Sequence, residues 1–78
     1  MIYCKLKNSN EKSAVYLFGA SVGDVTGEAE FYSSFTQPTI LKQPKVKSVP
    51  ESYLLKIVAK YGAELTKGNF PDRMSYER

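Results

Sequence analysis

The chain has 78 residues, 11 Lys and Arg against 8 Asp and Glu, a net charge of +3, a single Cys and no His. That length predicts one small domain, and an apolar fraction of 42% supports a core rather than a disordered chain. One cysteine excludes an intramolecular disulfide, and with no histidine there is no Ser–His–Asp triad, no Cys/His zinc set and no neutral-pH proton shuttle.

Ile2, Cys4 and Leu6 alternate with Tyr3, Lys5 and Lys7, the two-residue period of a half-buried strand. Residues 8–12 gather turn formers and predict a hairpin loop. Residues 14–18 are apolar throughout, which predicts a central strand covered on both faces. A loop with glycines at 19, 23 and 27 follows. Alternation then resumes over residues 28–35, with Ala29, Phe31 and Phe35 inward and Glu28, Glu30 and Tyr32 outward. Pro38 breaks that strand, and Thr39, Ile40 and Leu41 form a further short edge strand.

Residues 42–47, rich in Lys and Pro, read as a connector. Ser48 and Glu51 have the spacing of a capping box, with Pro50 in the first turn where its missing N–H does no harm. They predict a helix over about 49–67 whose apolar face is Leu54, Ile57, Val58, Tyr61 and Leu65. Lys56, Lys60, Glu64 and Lys67 lie opposite, Gly68 caps the end and Pro71 prevents continuation. Gly62 costs the helix about 1 kcal/mol relative to Ala, which calls for a close neighbour or a locally weak helix. The tail 69–78 either folds back through Phe70, Met74 and Tyr76 or adds a strand near Arg73 to Glu77. The expected fold is α+β: an antiparallel meander of three to four strands within about 2–41, with one C-terminal amphipathic helix across one face.

No motif carries catalysis. The glycine-spaced loop holds no Lys and leads into a strand, unlike a phosphate-binding loop. Asp24 and Thr26 read as turn residues bonding nearby amides. Glu28 and Glu30 share a strand face, but paired carboxylates act on a glycoside only within a cleft; here they read as solvated groups opposite Lys5 or Lys7. Cys4 reads as a small buried hydrophobe. No catalytic, cofactor-binding or metal-binding residue is assigned.

Two functional classes lead, ahead of a small hydrolase or transferase built around Asp24, Glu28 and Glu30, which would need a concave pocket holding those carboxylates. Six Tyr and four Phe are many rings for so short a chain, and Tyr3, Tyr16 and Tyr32 fall on predicted strands. The leading expectation is a non-enzymatic protein-interaction or self-associating domain, docking a protein or a second copy through a sheet edge or an open Tyr-bearing face. Tyr3, Tyr16 and Tyr32 would be its anchors, with Glu28 and Glu30 as rim charges. The alternative is a nucleic-acid-binding module. From residue 42 onward the net charge is +4, against −1 before it, and Lys42, Lys45, Lys47, Lys56 and Lys60, with Tyr53 and Tyr61 nearby, would contact phosphates and bases. No stretch approaches the roughly 20 apolar residues of a membrane span and no leader is read near Met1, so a reducing, cytoplasmic setting is expected.

Overall fold

The computed structural model describes residues 1–34 and 37–77. In chain order its elements are β1 (Ile2–Ser9), β2 (Ser13–Gly19), β3 (Gly27–Tyr32), β4 (Thr39–Lys42), α1 (Glu51–Thr66) and β5 (Arg73–Tyr76). The strands form one antiparallel sheet of order β4-β3-β2-β1-β5. The first four follow the expected meander. The tail supplies a fifth strand, so the helix is not the last element; Leu6 N–H to Asp72 C=O (2.8 Å) joins the entry of β5 to β1. β3 ends at Tyr32, and the expected inward facing of Phe35 lies outside the described residues.

Between β1 and β2 the Asn10 side chain accepts from Lys12 N–H (2.8 Å) and Ser13 N–H (2.9 Å), the turn chemistry for which Asn is suited. On the helix-covered face, each aromatic of one strand stands opposite a small residue of the next. Phe18 faces Gly27, Tyr16 faces Ala29 and Phe31 faces Ala14. Large therefore interleaves with small, as close packing demands. Tyr16 and Phe31 meet edge to face at 5.4 Å between centroids. Ile2, Cys4 and Met74 complete the sheet's share of the core, and the helix contributes Leu54, Ile57 and Leu65. Burying each of those three is worth about 1.5–3 kcal/mol.

The helix begins later than the spacing predicts. Pro50 is its N-cap, with no side-chain cap bond, so the Ser48–Glu51 box does not form. Instead Gln43 grips Val49, which is 1% exposed, just before the first turn. At the other end Gly68, with φ of 78°, lets its own N–H reach Leu65 C=O and Asn69 N–H reach Glu64 C=O, closing the helix as expected. Gly62 meets no described atom within 4 Å of an added Cβ, so no close neighbour among the described residues accounts for it.

Candidate functional site

The helix lies against one face of the sheet and leaves the other open. One row on the open face crosses all five strands: Arg73, Lys5, Leu17, Glu28 and Lys42, each opposite the next. A parallel row runs from Ser75 through Tyr3 to Gly19, and another from Asn8 through Val15 and Glu30 to Thr39. Val15 and Leu17 are half-buried at its centre. The run 14–18 is thus covered on one face only, by a helix over Ala14, Tyr16 and Phe18.

That register moves Tyr16 out of the expected set of anchors. It shares the phase of Ala14 and Phe18, is 0% exposed, and donates its hydroxyl to the Pro71 carbonyl at 2.5 Å. Burial pushes its ionisation upward, with the neighbouring Cys4 and Asp72 adding to the shift. Tyr16 therefore ties the core to the segment that launches β5. Tyr3 and Tyr32 do lie on the open face, but at opposite corners, roughly 20 Å apart on strand spacings. The hydroxyl of Tyr3 donates to Met1 Sδ (2.7 Å), while that of Tyr32 meets Thr39 Oγ1 (2.9 Å) and donates to Glu30 (3.4 Å).

The two glutamates are occupied from within. Glu28 pairs with Lys7 at 3.2 Å and Lys42 at 3.4 Å. The Lys7 hydrogen bond is the largest influence on its carboxyl and, with the charges of Lys7 and Lys42, holds it below the ordinary value despite partial desolvation. Glu30 accepts from Ser13 Oγ at 2.8 Å. By contrast, Lys5 and Arg73, directly opposed and both exposed, form no ion pair among the described residues.

Neither do the five lysines of the nucleic-acid set converge. Lys42 sits on β4 beside Glu28, whereas Lys56 lies over the Tyr76 ring (5.3 Å) and Lys60 bonds Ser75 C=O (2.9 Å) at β5. Those are opposite margins of the sheet, about 19 Å apart at the usual strand spacing. Lys45 and Lys47 lie in the connector, their backbone N–H groups held by Thr26 and Asp24.

Asp24 organises the end of the open face near Tyr3. Its carboxylate accepts from Thr26 Oγ1 (2.8 Å) and from the N–H groups of Val46 and Lys47 (3.1 Å each), binding the β2–β3 loop to the connector. Burial alone would raise this carboxyl, but the bonds from Thr26 and the connector amides outweigh it and the net shift is downward. The loop then folds back onto the sheet. A Cβ on Gly19 would collide with the Asp24 carbonyl oxygen and crowd Val25, so only glycine lets the loop lie there.

Both sheet margins are blunted. At β5, Tyr61 Oη accepts from Ser75 N–H (3.2 Å) and donates to Ser75 C=O (3.4 Å), a cap reinforced by Lys60. At the other margin β4 has only four residues and its register shifts between Glu28 and Ala29. Short, irregular or covered edges resist pairing with another strand.

Burial pushes the Cys4 thiol up to about 12, leaving it neutral and unreactive. Among the described residues no group of three or more His, Cys, Asp or Glu side chains could hold a metal ion, and no helix is long and apolar enough to cross a membrane. No protein-family model, curated protein or solved structure matches the chain. The elements missed by the sequence pattern are the Asp24 bridge, the Gln43 clamp, the Tyr61 cap and the Lys5–Arg73 pair. Three of them join residues at least 14 positions apart and the Gln43 clamp spans six, beyond a helical or strand period; only an acid within a glycine loop hinted at the first.

Proposed function

We propose that the protein is a non-enzymatic docking domain that receives a protein partner on its open sheet face, in a reducing, cytoplasmic setting. The observation that carries this is the apolar strip of Val15 and Leu17, lying half-buried at the centre of a five-stranded sheet with the helix on the other side. The blunted margins favour the face over the edge as the contact. Tyr3, Tyr32 and the Lys5–Arg73 pair rim the strip. The buried free thiol of Cys4 suits a reducing compartment.

Size sets the strength. A face five strands wide and about six residues long offers roughly 500 Å², below the ~800 Å² per partner of a standard interface. Association is therefore weak and transient.

A photo-reactive residue in place of Val15, introduced in the native host, tests the reading. Cross-links to one protein or to a second copy are expected, and they should vanish in Leu17→Lys and persist in Leu55→Lys on the outer side of the helix. Cross-links that survive Leu17→Lys, or no cross-link from Val15 at all, remove the open face as the contact.

A further inference from the structure

A groove of about 440 Å³ opens at the β1–β5 corner of the open face, with Tyr3, Lys5, Arg73 and Ser75 on its floor and Val22 and Val25 at its side. Its volume falls in the range of small-molecule sites. Three properties of the groove point to one kind of occupant.

The first is charge. Lys5 and Arg73 face each other across neighbouring strands with no carboxylate paired to either among the described residues, an arrangement that weakens a sheet by itself. An anion between them turns that repulsion into two charge-assisted hydrogen bonds. The second is a flat apolar surface. Tyr3 stands one register step along the same face, and its hydroxyl is taken by Met1, which leaves the ring to the groove. Across from it Val22 is 78% exposed, an apolar side chain with little protein against it. The third is rigidity. Asp24, between the two valines, is 5% exposed and bound to the connector, so the wall is built before any ligand arrives.

We propose that this corner binds a small organic anion, a planar aromatic body bearing a phosphate or carboxylate group, of the kind found in nucleoside monophosphates and aromatic acids. The anionic group lies between Lys5 and Arg73, and the ring lies against Tyr3 beside Val22 and Val25. The ligand site stands whether or not the open face docks a protein, although a partner seated on Leu17 would meet Lys5 directly opposite it.

Titrations of the ¹⁵N-labelled protein with uridine monophosphate, benzoate and inorganic phosphate, followed by amide chemical shifts, test this. Saturable shifts at Tyr3, Lys5, Val22, Val25, Arg73 and Ser75 are expected with at least one ring-bearing anion, weakening as salt is raised. Whichever ring-bearing anion saturates at the lower concentration identifies the anionic group. Arg73→Gln and Lys5→Gln, both at exposed positions, should each weaken binding about tenfold, the worth of one charged hydrogen bond. Lys67→Gln, at the far end of the helix, should leave it unchanged. The proposal is overturned by no saturable shift with either ring-bearing anion at millimolar concentration. It is equally overturned by unchanged affinity in Arg73→Gln, or by inorganic phosphate binding as tightly as the ring-bearing compounds.

Discussion

Gln43 meets the backbone of Val49 on both sides: its Oε1 accepts from Val49 N–H at 2.9 Å and its Nε2 donates to Val49 C=O at 3.2 Å. The side-chain amide thus does for the helix entrance what a neighbouring strand does for a strand. Val49 is brought into the core by this pairing, immediately before Pro50 starts the helix.

The clamp separates two positions that the sequence pattern ranks in the opposite order. Gln43→Ala strips both partners from Val49 and should cost about 1–3 kcal/mol, the range for leaving buried backbone groups unpaired. Ser48→Ala, at an exposed residue that makes no cap bond, should stay within about 0.5 kcal/mol. Urea denaturation of the two variants decides the order. A larger loss in Ser48→Ala would restore the capping box.

Tyr16 should report on stability, not on docking. Tyr16→Phe keeps the ring against Phe31 but leaves the Pro71 carbonyl without its donor, at a cost of about 1–2 kcal/mol. Because Pro71 leads directly into β5, amide hydrogen exchange over Arg73–Tyr76 should accelerate more than exchange in β2 and β3. Uniform acceleration along the chain would show that the hydroxyl does not anchor that strand in particular.

Acid should weaken the fold through two carboxylates. Asp24 and Glu28 both have folded-state values below the ordinary range, so the stabilisation they supply is complete above the unfolded carboxylate pKa of about 4. It is lost as the pH falls through the depressed folded values. The urea midpoint should therefore hold from neutrality down to about pH 5 and decline below it. In Asp24→Asn the midpoint should start lower at neutral pH and fall less on acidification. A midpoint in the wild type that stays level down to pH 3 contradicts this assignment.

Much of the architecture was readable in the local pattern. Alternation at Ile2 and Cys4 and at Ala29 and Phe31 places those residues in the core, with Leu6 half-buried against it, because a pleated strand with one covered face must sort its side chains by twos. Leu54, Ile57 and Leu65 are likewise inward, and Gly68 ends the helix. The site was less readable. Within 14–18 every residue is apolar, so no alternation marks the phase, and Tyr16 takes its facing from its pairing with Leu6 and Ala29. The tail 69–78 carries too little pattern to choose between strand and coil. Pairing with β1 makes Arg73–Tyr76 a strand and thereby puts Arg73 beside Lys5.

By itself, then, the order of residues determined the first four strands, the helix and the inward facing wherever alternation marks it, because those outcomes depend on neighbours within one turn or one pleat. The tertiary structure decided which polar groups meet. Lys5 and Arg73, and Asp24 and the Lys47 amide, meet only after the sheet has assembled and the connector has closed around its end, and Gln43 reaches Val49, six residues on, through a bend of that connector that no helical or strand period marks.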